Sequence, residues 1–195
     1  MRFNLYRIEP DYCGYLQQFD NRVPYAASSN KITRPFIGVG IEIDGFNYMA
    51  PLSSPKPKHI KMKETVDFIK IKGGKLGVIN LNNMIPVPKG IAKMINLNAP
   101  IINREYSELL KNQLFWCNQS QNRQIILKKA RNLYHYHKKG TLYPNHEKRC
   151  CNFTLLEEKA QEYINAPTQN NTQQPVLPNQ VPSMTNNIGG IHFGN

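Results

Sequence analysis

The residues best suited to chemistry lie together in the segment Ser53-Ser54-Pro55-Lys56, inside the longer stretch MAPLSSPKPKH. Two adjacent hydroxyls can donate hydrogen bonds to phosphate oxygens, and the lysine adds a fixed positive charge. Such a group suits cleavage of RNA by its own 2′-hydroxyl, because that reaction needs charge stabilisation and proton transfer but no protein nucleophile. Residue types alone favour a simpler interpretation, a polar turn, since serine, proline and lysine are common in turns.

The overall charge favours an anionic partner. The 195 residues include 25 Lys and Arg against 13 Asp and Glu, a formal net charge of +12. Nucleic acid is the first candidate for that partner and a membrane surface the second, although a basic protein need not bind either.

The charge is densest between residues 123 and 149, where three tyrosines are interleaved and Glu147 is the one acid. Lysines and arginines can neutralise phosphates, and tyrosines can stack on unpaired bases. The alternative is a solvated helix face. The RNA-binding residues predicted on this segment are Arg123, Lys128, Lys129, Arg131, Lys138 and Lys139.

Several classes of protein are disfavoured. The sequence contains no run of about 18 apolar residues, so no membrane-spanning helix is predicted. The first residues lack the apolar centre of a signal peptide. The spacing of the four cysteines matches neither a zinc site nor a redox pair, which predicts reduced thiols in a cytoplasmic protein. His135 and His137 would not face each other on a helix, so we expect neither a metal nor another cofactor.

Strands are predicted in the middle of the chain and helices around them. Apolar residues alternate from Ile37 to Ile43 up to Asp44-Gly45, a pair typical of a type I′ hairpin. Residues 66–71 and 76–81 suggest a second hairpin, and residues 2–8 and 82–88 suggest further short strands. Helical periodicity is seen from Pro10 and after Asn103 and Ser120. A T-x-x-E capping box is predicted to begin a last helix at Thr154.

These elements predict an α+β fold with a compact, strongly bent antiparallel sheet or small β-barrel and flanking helices. Residues 1–163 would form this domain. Residues 164–195 hold no Asp, Glu, Lys or Arg and are rich in Asn, Gln and Pro, so we expect a flexible tail.

Four segments, APLSSPK, LGVINLNNMIPVP, YSELLKNQL and CNFTLLEEK, occur in that order. Together they resemble the ToxN/AbiQ family, the toxins of bacterial type III toxin–antitoxin systems. The resemblance covers most of residues 1–163. It implies a sequence-specific, metal-independent endoribonuclease that leaves 2′,3′-cyclic phosphate and 5′-hydroxyl ends, with a fold like the small barrel of the MazF/Kid ribonucleases plus helices.

The resemblance also implies partners. These are a small repeated pseudoknot RNA antitoxin, which the toxin processes and which inhibits it, and cellular or phage RNA substrates. Protein and antitoxin would close into a joint assembly, acting in phage abortive infection or plasmid maintenance.

The resemblance assigns site residues by position. Ser54 and Lys56 match the principal catalytic pair, with Ser53 in support. Tyr106 falls on the tyrosine of the active groove, and Tyr25 is the tyrosine available in the loop before the FIG strand. Further candidates for RNA contact near these positions are Lys31, Arg34, Lys58 and His59.

Two other functions remain open at this point. A non-catalytic RNA-binding module would explain the charge equally well but would not need the serine–lysine segment. A structural or partner-binding protein would bind no RNA.

Overall fold

The structure is a computed structural model that describes residues 2–24, 36–97 and 104–166, with the backbone alone for residues 36 and 37. The strands in the described ranges are β1 (Leu5–Ile8), β2 (Phe36–Ile43), β3 (Phe46–Ser53), β4 (Phe68–Lys70), β5 (Val78–Asn80), β6 (Ile85–Pro86) and β7 (Ala92–Met94). The helices there are α1 (Pro10–Gln17), α2 (Pro57–Lys61), α3 (Arg104–Asn118), α4 (Ser120–Lys138), α5 (Pro144–Glu147) and α6 (Phe153–Asn165).

The β2–β3 hairpin is the centre of the sheet, and it confirms the turn predicted from the sequence. Asp44 and Gly45 have φ angles of 48° and 82°, as a type I′ turn requires at both central residues. Ile43 pairs with Phe46 across the turn, and the register continues to Gly38 opposite Pro51. The predicted second hairpin is also present, because β4 and β5 pair antiparallel.

Strand β3 changes its partner along its length. Tyr48 and Met49 pair with β6, whereas Leu52 and Ser53 pair with β5. The strand path among the described residues is β4-β5-β3-β2-β1-β7, with β6 beside β3, and every pair in it is antiparallel. The predicted α+β class with an antiparallel sheet and flanking helices is therefore confirmed.

A buried carboxylate joins the sheet to the helices. Glu157 on α6 is 6% exposed, and its Oε1 accepts hydrogen bonds from the hydroxyls of Tyr48 (2.7 Å) and Tyr134 (2.9 Å). Its Oε2 accepts one from Lys138 Nζ at 2.7 Å. An unpaired buried carboxylate would be costly, so these three donors explain why Glu157 is tolerated in the core.

The predicted capping box at Thr154 is wrong. Helix α6 begins one residue earlier, at Phe153, and Asn152 is its N-cap, with Oδ1 accepting from the Leu155 amide at 3.2 Å. Glu157 does not turn back to the helix start, because the two tyrosines and the lysine hold it in the core. Strand β7 is a further difference, since no strand was predicted at residues 92–94.

Two predictions fall beyond what the structure covers. Asn103, where we expected the start of α3, lies outside the described residues, as does most of the uncharged tail, so the division at residue 163 stays a prediction. In the ranges that are described, no helix combines the length and apolar character needed to cross a membrane.

Candidate active site

The serine–lysine loop, residues 53–56, leaves the sheet where β3 ends. Ser53 is still in the sheet, opposite Val78 of β5, and its Oγ accepts a hydrogen bond of 2.8 Å from Asn80 Nδ2. Ser54 and Lys56 are exposed. Lys56 has an extended backbone and is the N-cap of α2, whose first residue is Pro57. Proline suits a first helical position, so the sequence ends the loop there.

A glycine-rich turn, residues 71–77 and hereafter the glycine turn, supports the loop at two points. Gly77 has φ +97°, and a Cβ there would lie 1.9 Å from the carbonyl oxygen of Ser53. Gly74 has φ +92°, and a Cβ there would lie 2.6 Å from the carbonyl oxygen of His59. Only glycine permits this close approach of backbone to backbone at positive φ.

Helix α3 contributes a third support through Gln113. This side chain is 1% exposed, and its Nε2 donates to the carbonyl oxygens of Leu76 at 2.7 Å and Ser53 at 3.5 Å. It thereby connects the glycine turn with the end of β3. Neither Gln113 nor Asn80 was predicted as a site residue, although both lie in segments that carried the family resemblance.

Tyr106 lies on the same side of α3 as Gln113. Seven residues separate the two, which is two helical turns or about 10 Å along the helix axis. Tyr106 is 36% exposed, so its ring is accessible from the surface rather than enclosed in the core. The structure thus brings the α3 face that carries Tyr106 together with Ser53.

Lysines surround the loop. Helix α2 contacts the glycine turn, and exposed lysines lie on both segments and just beyond α2. Lys70 fixes the C-terminal end of α2, because its Nζ donates to the carbonyl oxygens of Ile60 (2.8 Å) and Met62 (3.0 Å). We call the following exposed set the lysine surface: Lys56, Lys58, Lys61, Lys63, Lys72 and Lys75.

Four of these lysines, at positions 61, 63, 72 and 75, were not predicted. The signal that could have found the first two is the closely repeated lysine in the run KPKHIKMK, residues 56–63. The two on the glycine turn come near α2 only in the folded chain.

His59, on α2, is buried instead of lying on the surface. It is 4% exposed, and its Nδ1 is buried and has no hydrogen-bond partner among the described residues. Burial, followed by the charges of Lys56 and Lys58, lowers the pKa of His59 below its usual 6.5. Its imidazole is therefore neutral at pH 7, and direct contact with RNA would require this side chain to become exposed.

The basic residues predicted on α4 divide into two groups. Lys129 Nζ binds Glu64 Oε1 at 2.5 Å and the carbonyl oxygen of Thr65 at 3.0 Å, and Lys138 binds Glu157. Arg123 donates to the carbonyl oxygen of Asn118 at 3.3 Å. The remaining predicted residues are exposed and are Lys128 and Arg131 on α4 and Lys139 at its C-cap.

Three predicted residues, Tyr25, Lys31 and Arg34, lie outside the described residues. Within the described ranges, no group of three or more His, Cys, Asp or Glu side chains is arranged to hold a metal ion. The site that the structure does describe is a pair of hydroxyls and a lysine, held on a supported loop and surrounded by further lysines.

Comparison with known proteins finds relatives across most of the chain. A family model, toxin ToxN of type III toxin–antitoxin systems, matches residues 4–161. Endoribonuclease ToxN from Bacillus thuringiensis subsp. kurstaki is 30% identical over 164 residues, covering 80% of this chain and 81% of that protein. Endoribonuclease ToxN from Pectobacterium atrosepticum is 32% identical over 166 residues, covering 81% and 92%. Endoribonuclease AbiQ from Lactococcus lactis subsp. lactis is 27% identical over 177 residues, covering 84% and 90%.

Solved structures have the same architecture. One, from the work "A processed non-coding RNA regulates a bacterial antiviral system", superposes with a TM-score of 0.68 at 32% identity, covering 83% of this chain and 98% of the other. A second, from a study of "selective toxin inhibition by a non-coding RNA pseudoknot", gives a TM-score of 0.69 at 25% identity, covering 84% and 99%.

Proposed function

The chain belongs to the ToxN family of type III toxin–antitoxin toxins and is an endoribonuclease, and we propose that its serine–lysine loop carries out the cleavage. The observation that carries the proposal is the arrangement at the end of β3. Ser54 and Lys56 are exposed there while the backbone beneath them is fixed by Gly77 and Gln113. Fixed donors of this kind are what stabilises charge that develops on a phosphate.

In the proposed reaction the 2′-hydroxyl oxygen of the RNA attacks the adjacent phosphorus, and the bond from phosphorus to the 5′-oxygen breaks. The 2′-hydroxyl loses a proton and the leaving 5′-oxygen gains one, so the products are a 2′,3′-cyclic phosphate and a 5′-hydroxyl. Ser53 and Ser54 would donate hydrogen bonds to the nonbridging oxygens, and Lys56 would neutralise the added charge. No metal takes part in these steps.

We assign RNA binding to the lysine surface and to the exposed residues of α4. Each phosphate that a lysine neutralises releases counterions, so the affinity should fall steeply as salt is added. Tyr106, which is 36% exposed on α3, would contact the RNA near the cleaved bond.

We assign the regulation by analogy with the relatives. One solved relative is described as inhibited by a non-coding RNA pseudoknot. A small repeated pseudoknot RNA would be cut from its precursor by this chain in the cytoplasm, would cover the lysine surface, and would close with it into a joint assembly. Toxin released from this assembly would then cleave cellular or phage RNA, in abortive infection or plasmid maintenance.

The test is cleavage of a long RNA by purified, RNA-free protein in EDTA, with analysis of the fragment ends. We expect discrete fragments with cyclic-phosphate ends. Lys56→Ala should slow single-turnover cleavage by about 10²–10³-fold, as loss of one stabilising group does elsewhere.

Lys89→Ala is the matched control, because it removes the same charge at another exposed position. Lys89 lines a cavity with Phe46, the first residue of β3, whereas Ser53 is the last residue of that strand. Seven extended residues separate Phe46 from Ser53, or about 23 Å, so Lys89 lies near the opposite end of the strand. We expect this variant to cleave at the wild-type rate. Cleavage by Lys56→Ala at that rate would refute the catalytic assignment, and RNA binding without any cleavage by wild type would favour a non-catalytic RNA-binding module.

A further inference from the structure

Asn80 is the last residue of β5, and its side chain reaches across to the end of β3. Its Nδ2 donates to Ser53 Oγ at 2.8 Å and lies 3.4 Å from the carbonyl oxygen of Pro51. Both contacts are made by the same amide group at the point where the serine–lysine loop leaves the sheet. In the described part of the chain, no other side chain forms a hydrogen bond with the Ser53 hydroxyl.

The contact with Pro51 decides which way the amide faces. A backbone carbonyl can only accept a hydrogen bond, so the group turned toward it must be the NH₂ of Asn80 and not its oxygen. The amide has two hydrogens, and they serve Pro51 and Ser53 respectively.

This orientation determines what the Ser53 hydroxyl can do. A serine oxygen has two lone pairs and one hydrogen. Because Asn80 occupies a lone pair, the hydrogen of Ser53 is left for a second acceptor. A phosphate oxygen bound at the exposed part of the loop is such an acceptor, and a negatively charged one makes the stronger bond.

We propose that Asn80 is a positioning residue that makes Ser53 a hydrogen-bond donor to the RNA phosphate. The inference rests on the proposed function and adds a residue to it. Asn80 touches neither the RNA nor the reacting atoms, and acts through Ser53 alone. Its contribution should therefore disappear when Ser53 has no hydroxyl.

The informative variant is Asn80→Asp, which keeps the size of the side chain but replaces the donor by a carboxylate. A carboxylate accepts the Ser53 hydrogen and so withdraws it from the phosphate. We expect single-turnover cleavage at saturating RNA to fall by about 10²-fold. Asn80→Ala, which removes the donor without adding a charge, should give a smaller loss in the same direction.

Asn82→Asp is the matched control, since it makes the same chemical change two residues away. The Asn82 amide donates to the carbonyl oxygen of Arg149 at 3.1 Å and belongs to a different part of the surface. We expect it to cleave within about 3-fold of wild type. Affinity is followed separately with an RNA that carries 2′-deoxyribose at the cleaved position and cannot react.

The decisive measurement places each Asn80 variant in a Ser53→Ala background. If Asn80 acts through Ser53, neither substitution lowers the cleavage rate further there, although both do so in wild type. The assignment would be overturned if the Asn80 variants lost the same cleavage rate with Ser53 present and with Ser53→Ala, or lost none with Ser53 present. Either result would leave the proposed function intact. A wild-type protein that cuts no RNA would overturn the function itself and this inference with it.

Discussion

Substitution of Gly77 by alanine tests the site without altering any of its side chains. The new Cβ would lie 1.9 Å from the Ser53 carbonyl oxygen, whereas real Cβ atoms keep at least about 3.0 Å from such neighbours. The loop or the glycine turn must therefore shift by about 1.1 Å. A misplacement of about 1 Å can cost about 10²-fold in rate, so we expect a loss of that size in single-turnover RNA cleavage.

The stability cost has two sources. Positive φ strains an alanine by about 1–2 kcal/mol, and the overlap adds about 1–3 kcal/mol as overpacking does elsewhere. Urea unfolding measures the sum. A domain of this size has about 5–15 kcal/mol in reserve, so the variant should remain folded at 25 °C.

Gly73→Ala is the matched control within the same turn. Gly73 also has positive φ, +65°, but a Cβ there meets nothing within 4 Å. It should lose about 1 kcal/mol of stability and keep the wild-type rate of cleavage. If folded Gly77→Ala cleaves RNA as fast as Gly73→Ala, the position of the Ser53–Ser54 backbone does not matter for catalysis and the reasoning fails.

Three further predictions concern charge and burial. Lys128→Gln should weaken RNA binding and make the slope of log binding constant against log salt concentration shallower by about 1. Lys129→Gln should leave that slope unchanged and lower the free energy of unfolding in urea by about 1 kcal/mol. Because the pKa of His59 is lowered, the unfolded chain binds a proton that the folded chain does not as pH falls below 6.5. Stability should therefore fall as the pH is lowered through about 6.5, and less steeply in His59→Phe, which urea titrations at each pH would show. Tyr48→Phe removes a donor from the buried Glu157 and should cost about 2 kcal/mol of unfolding free energy; a loss near zero would contradict the role given to that network.

Local patterns predicted the elements that depend on local physics. The β2–β3 hairpin follows from alternation and the Asp44-Gly45 turn, and both signals lie within a few residues of the structure they produce. Strand β7 could not be predicted in this way. It is short and mostly exposed, and it is a strand because it pairs with β1, more than eighty residues earlier.

The candidate site shows the same division. The hydroxyls and lysine of the serine–lysine loop lie within four residues of sequence, so their chemistry could be suggested from the sequence, although residue types alone favoured a polar turn and the family resemblance was needed to prefer catalysis. Asn80 and Gln113 are 27 and 60 residues from Ser53, and no periodicity relates them to it. The burial of His59 was likewise hidden, because it depends on Gly74 allowing the glycine turn to approach α2.

The distance in sequence between Ser53 and its supports has a consequence for synthesis on the ribosome. A growing chain contains both serines and Lys56 long before Gln113 has been added, and the hydrogen bond that ties α3 to Ser53 cannot form until then. Contacts that span many residues form late, because their loop entropy must be paid first. A truncated or nascent toxin should therefore be harmless to its own messenger, and activity should arise together with the complete fold.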